Sequence, residues 1–231
     1  MIFDKAFSDI KSSLATWDGY SVLAEAIRSY EGLQVYIAGG VVRDAVMSRT
    51  IRPKDFDFFL HGQSVNEALN LLKDGGHLQT TPYGSPRWYP AGCDDQYADI
   101  IPISEFKPGL WHCEDIVDVL NQFDFTANAI AFDLRTGKIF DPQNGARDAI
   151  RRVMKMVRFD YPDGPYIPSE SLCRNVILWF RIVHYSGSLR LNVEPLTLKW
   201  ILEHRHYAMQ REQFEANFFK TDLSFLEEIH A

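Results

Sequence analysis

Cysteine is scarce in this chain. Cys93, Cys113 and Cys173 are the only three among 231 residues, too few and too scattered for the paired framework that staples small secreted domains. A reduced, cytoplasmic protein is the expectation. Long apolar runs are missing as well: no stretch reaches the ~20 residues that cross a bilayer. The opening residues, MIFDKAFSDIKSSL, carry acids and polar groups where a secretion signal needs an unbroken apolar core. Neither a membrane-embedded nor an exported chain is expected. An excess of positive charge is also lacking. With 24 Lys and Arg against 31 Asp and Glu, a net charge of −7 and a pI near 5.5, the chain does not have the cation surplus with which proteins coat nucleic acid non-specifically. That leaves room only for a local basic patch. There is no internal repeat and no low-complexity tract.

What is present is ordinary globular composition, 46% hydrophobic and 24% charged, which excludes disorder as the ground state. The length suffices to bury one core, or one catalytic domain with a helical appendage. Phe3, Phe7, Ile10 and Leu14 recur at helical spacing, and a second helical run covers residues 22–27. Residues 33–38 (LQVYIA) read as a short buried strand ending at Gly39-Gly40, after which VVRDAVMS is helical. Residues 55–61 (DFDFFLH) and 97–103 (YADIIPI) read as strands. Residues 64–73 read as a helix with Ser64 as candidate N-cap and Gly75-Gly76 closing it. The segment between, TPYGSPRWYPAGCDD, is a loop or irregular hairpin. Residues 130–134 and 138–140 flank Arg135-Thr136-Gly137 as a hairpin, and Asn144-Gly145 opens a helix through Arg152. Proline and glycine concentrate at residues 160–168, the expected boundary between a head (1–160) and a helical region (161–231) with breaks at Ser186-Gly187 and near residues 193–195. The fold class expected is α+β, a mixed sheet flanked by helices and followed by a small helical region.

The chemistry centres on Asp55 and Asp57. Strand periodicity places both on one face, with Phe56 and Phe58 on the other. Like charges so held repel unless something neutralises them. A divalent ion such as Mg²⁺ does so through carboxylate oxygens while keeping waters and reaching substrate phosphates, and Asp99 would supply a third carboxylate. The plain alternative is a solvated strand edge. The glycine pair upstream tips the balance, because a turn without side chains lets backbone N–H groups and a helix start approach a phosphate.

YIAGGVVRDAVMSRTIRPKDFDFFL resembles the signature of the class II tRNA nucleotidyltransferase and bacterial poly(A) polymerase family, a branch of the polymerase-β-like nucleotidyltransferases. FDFTANAIAFDLRTGKIFDPQNGARD resembles the family's second block. Together the likeness covers roughly residues 34–152. It implies a nucleotidyltransferase head followed by a neck-like helical region, two Mg²⁺ ions held by Asp55 and Asp57, and Asp99 as third ligand or base. It implies an NTP cradled by Gly39-Gly40, and an acceptor hydroxyl at an RNA or tRNA 3′ end. Arg43 and Asp44 would contact the nucleotide or brace the turn as an ion pair. Asp124 and Asn128 would sit by its sugar and phosphates, unless Asp124 simply caps the short helix after it.

The chain departs from that pattern in three places. Gln122-Phe123 stand where the family carries two arginines, which weakens the expected grip on a triphosphate. In the base-selecting motif, Glu170 and Arg174 (ESLCR) are kept but Ser171 replaces an acid, and the pair also reads as a surface i, i+4 bridge. The helical body and tail that hold tRNA are not expected. A nucleotidyltransferase acting on a small molecule or a protein, or a non-catalytic nucleotide sensor, are therefore the alternatives. Trp88, Tyr89 and Tyr97 would stack a base or pack a loop; His112-Cys113 is read as structural. Trp200, Ile201, Tyr207 and Phe214 would form core or a homo-oligomer face.

Overall fold

The alternation that placed Asp55 and Asp57 on one face organises the whole molecule. In the computed structural model, which describes residues 2–49, 52–81, 86–93, 95–106, 110–162, 164 and 172–228, a seven-stranded mixed sheet runs in the order β3-β4-β5-β2-β1-β6-β7. Its strands are β1 (Gln34–Ala38), β2 (Asp55–His61), β3 (Gly76–Thr80), β4 (Pro86–Pro90), β5 (Tyr97–Pro102), β6 (Ala131–Asp133) and β7 (Ile139–Phe140). β1 is antiparallel to both β2 and β6, whereas β2 and β5 run parallel.

Helices α1 (Ile2–Ala15), α2 (Tyr20–Ser29), α3 (Gly40–Val46) and α4 (Val65–Asp74) follow the expected apolar spacing. Ile10 and Leu14 of α1, Leu23 of α2 and Leu72 of α4 join one large core with the sheet's Ile37, Phe56, Phe58 and Ile100. Trp17 sits at its centre, against Phe56 at 4.8 Å and edge-on to Trp88 at 5.6 Å. Each such fully buried ring contributes roughly 1.5–3 kcal/mol relative to exposure, so Trp88 belongs to the core and is not a base-stacking platform. On the opposite face Tyr36, Ala38 and Phe59 form a smaller cluster with Ile116, Val119 and Leu120 of α5 (Ile116–Leu120). That cluster ends where the carboxylates begin.

Several expectations need amendment. Ser64 occupies the N-cap position of α4, but its side chain makes no capping hydrogen bond. Gly75 alone caps α4, while Gly76 opens β3, which pairs antiparallel with β4 as a hairpin; the segment expected as a loop or irregular hairpin thus holds a strand between Pro86 and Pro90. The hairpin of β6 and β7 turns on Gly137, at φ +72°. Beyond α6 (Gly145–Ile150), β8 (Val153–Met154) pairs in parallel with β9 (Asn192–Val193). α7 (Arg174–Ser188) ends one residue past Gly187, with Leu189 as its C-cap, where the break at Ser186-Gly187 was expected. Ser186 is buried and its hydroxyl donates to the Ile182 carbonyl at 2.7 Å, so it satisfies itself inside a helix.

The chain then forms α8 (Pro195–Glu203), a 3₁₀ segment over Arg205–Gln210 and α9 (Arg211–Asn217). Trp200, Ile201, Tyr207 and Phe214 are all buried in the large core, which decides for core over an oligomer face at these four positions. The residues after 171 thus share one apolar core with the sheet. Among the described residues, no helix is long and apolar enough to cross a membrane.

Candidate active site

A single transverse row of the sheet carries the polar centre. Arg87 lies opposite Asp99, Asp99 opposite Asp57, and Asp57 opposite Ala38. Cross-strand partners point to the same face, so Asp99 lies on the face of Asp55 and Asp57. Ala38 and Ala131 continue the row into the smaller apolar cluster, where both are fully buried. At the end of β1, Gly39 adopts φ +76°. A Cβ there would come within 2.6 Å of Asp57 Oδ2. Only glycine fits, on both the backbone and the steric count.

These residues floor a cleft of about 1280 Å³. Gly40, Asp44, Arg49, Arg52, Lys54, Asp124, Asn128, Arg174, Arg181 and Tyr185 also line it. Asp57 is the most perturbed acid. Burial, with Asp55 and Asp99 beside it, pushes its carboxyl up to about 8. Burial and Asp99 raise Asp55 too, against a smaller opposing pull from Arg87. The pair has chemistry that fits a divalent cation: oxygen donors on one face, their mutual repulsion relieved by positive charge.

Asp99 is differently placed. Arg87 donates to it through Nε at 2.7 Å and Nη2 at 2.9 Å, so both carboxylate oxygens are engaged, and the guanidinium stacks on Tyr97 at 4.0 Å. Among the described residues no three His, Cys, Asp or Glu side chains are arranged to hold an ion.

Part of the lining is a continuous network. Arg43 forks onto Asp44 and donates through Nη1 to Asn128 Oδ1 at 2.8 Å. The Asn128 amide donates to Asp124 Oδ1 at 3.2 Å, and Arg181 reaches Asp124 Oδ2 through Nε at 2.8 Å. The Arg43–Asp44 ion pair anticipated from sequence is therefore present, as one end of this chain. Asp124 does not cap the following Thr126–Asn128 turn, whose N-cap residue is Phe125; it receives the Phe125 N–H and the Arg181 cation.

At the departures from the family pattern, Gln122 is almost fully buried, and its amide serves Leu110, Trp111 and Cys113. Arg174 instead comes to this place from α7, donating to the Gln122 carbonyl at 3.1 Å and lying over Tyr161 at 4.4 Å. Glu170 lies outside the described residues.

Two contributors were missed in the sequence, Arg87 and Arg181. For Arg87 the signal was the alternation Arg87, Trp88, Tyr89 between two prolines. For Arg181 it was a lone cation seven residues after Arg174 on an otherwise apolar helix, which puts both on one face.

No family model matches the chain. The multifunctional CCA protein of Xanthomonas euvesicatoria is 31% identical over 142 residues, covering 58% of this chain and 32% of that protein. Over that stretch the chain is similar to a CCA protein. The CCA-adding enzyme of Staphylococcus epidermidis is 25% identical over 181 residues, covering 73% of the chain and 40% of that enzyme. The chain thus spans about a third of the length of the first curated relatives it matches. In fold, the Thermotoga maritima CCA-adding enzyme complexed with tRNA superimposes with a TM-score of 0.66 over 96% of this chain and 53% of that one, at 16% identity. A CCA-adding enzyme in complex with ATP gives 0.61 over 84% of this chain and 45% of that one, at 18% identity. The α+β fold is common to this chain and both of those structures.

Proposed function

We propose that this chain is a metal-dependent nucleotidyltransferase that moves a nucleoside monophosphate from an NTP to a hydroxyl acceptor at an RNA 3′ end, releasing pyrophosphate. The observation that carries the reading is the juxtaposition of Asp57 and Gly39: a half-buried carboxylate with a raised pKa, paired on its strand with Asp55, against a turn that admits no side chain. The relatives named as CCA proteins support the tRNA 3′ end as acceptor.

Asp55 and Asp57 would hold Mg²⁺, two ions in the full arrangement. When bound, such ions neutralise phosphate charge and make an acceptor hydroxyl more acidic. Gly39 and Gly40 leave the backbone open to the triphosphate. Arg43, Asp44, Asp124 and Asn128 form a wall whose polar atoms are fixed in advance, so that sugar and phosphate are oriented rather than merely attracted. Arg174, which lines the cleft, would contact the incoming base. In the reaction the acceptor oxygen bonds to the α-phosphorus, the bond from that phosphorus to the bridging oxygen breaks, and pyrophosphate leaves with the electron pair. Asp99 would take the hydroxyl proton or serve as third ligand, once its pair with Arg87 opens.

The test is pyrophosphate release with each NTP, with and without tRNA lacking its 3′ end. Release dependent on RNA, and abolished in the folded D55A/D57A double variant, is expected. Turnover retained in that variant would sink the mechanism. Nucleotide binding without any release would point to the sensor alternative.

A further inference from the structure

Arg87 is placed where a cation has a specific consequence for the third carboxylate. It stands one strand away from Asp99, which in turn stands one strand away from Asp57, all in one row. Its fork engages both Asp99 oxygens, and Tyr97 holds the guanidinium plane from the side. A bidentate arginine of this kind matches a phosphate as well as it matches a carboxylate. The side chain is only partly buried, 30% exposed on the wall of the cleft.

We propose that Arg87 is a positioning residue which keeps Asp99 out of the metal-ligand set of the nucleotide-free site and transfers its fork to the phosphates of an incoming nucleotide. This rests on the nucleotidyltransferase reading above and deepens it. In the resting site Asp55 and Asp57 alone face a metal ion. Asp99 becomes available when a triphosphate, richer in charge than a single carboxylate, draws the guanidinium away. The completed acidic centre is thereby tied to the arrival of substrate, because one side chain cannot serve both anions at once.

The experiment uses the full chain and Mn²⁺ as probe, without nucleotide, with circular dichroism to confirm folding of each variant. Water-proton relaxation reads how many waters the bound ion keeps. Freed Asp99 replaces one water, so R87Q should show one water fewer than wild type, and R87Q/D99N should regain it. Mn²⁺ affinity should rise about tenfold in R87Q, the scale on which a ligand's supporting partners act. R87K, which keeps charge but loses the fork, should resemble R87Q in water count. An unchanged water count in R87Q and R87K, with affinity altered, would mean that Arg87 acts as a charge alone and overturns the proposal.

The transfer is tested with a non-hydrolysable nucleoside triphosphate in the presence of chelator. R87Q should bind it about tenfold more weakly than wild type and R87K in between, as expected for loss of a charged hydrogen-bonding partner. Equal affinity in all three refutes the transfer. If D55N/D57N binds Mn²⁺ as well as wild type, the nucleotidyltransferase reading fails on its own, independently of Arg87.

Discussion

Replacing Arg181 with Met should destabilise the protein by about 2 kcal/mol, because it leaves the Asp124 carboxylate without its cation. Asp124 is 7% exposed at its side chain and Arg181 31%. Fully buried pairs lose about 3–5 kcal/mol when one partner is removed, and the partial access of water to Arg181 places this one below that range. Asp124 would retain the Phe125 N–H at 2.9 Å and the Asn128 amide at 3.2 Å, which limits the loss further. Burial presses the Arg181 guanidinium down, yet Asp124 carries its pKa above the ordinary value, so the pair is a real electrostatic partnership.

Urea denaturation of R181M, D124N and the double variant would give the coupling, expected at about 1 kcal/mol or more for groups in direct contact. The same variant should raise the KM for NTP, because Asn128 is shared between Asp124 and Arg43. A loss in R181M below about 0.5 kcal/mol, or strict additivity in the cycle, would refute the claim that α7 braces the site through this pair.

Two further outcomes follow from single positions. Gly39→Ala should cost about 1–3 kcal/mol through the left-handed backbone, measured by thermal melting, and should weaken Mn²⁺ binding because the new methyl displaces Asp57; an unchanged melting temperature would show that the turn relaxes freely. His184 accepts the Asp222 N–H at Nδ1 and packs on Phe219 at 4.6 Å, and burial lowers its pKa. A His whose folded pKa is depressed is protonated first in the unfolded chain. Its contribution is therefore complete above the unfolded value of ~6.5 and is lost as pH falls below it, at up to about 1.4 kcal/mol per pH unit until the folded pKa is reached. The wild-type minus His184→Asn difference in urea midpoint should narrow between pH 7.5 and 5.5, and parallel curves would contradict the assignment.

Legibility in the sequence followed the range of the interaction. Asp55, Asp57, Phe56 and Phe58 could be assigned to faces because a strand repeats every two residues, and Gly39 could be assigned to a turn because the chain there needs a conformation that other residues resist. The hairpin around Gly137 and the helices α1 to α4 came from the same kind of local rule. Where local signals conflicted, alternatives stayed open: Pro86 and Pro90 left β4 between a loop and an irregular hairpin.

What the sequence by itself determined is thus the acidic strand, the glycine turn before it and their family likeness, all set within some twenty neighbouring residues. Tertiary structure alone decided the partners of those residues. Asp99 shares the face of Asp57 because β2 and β5 pair in that register, and it meets Arg87 because β4 lies alongside; a shift of one residue would have turned it into the core. Arg181 reaches Asp124 across 57 positions of chain, a distance at which no periodicity carries information and only the packing of α7 on the sheet brings the charges together.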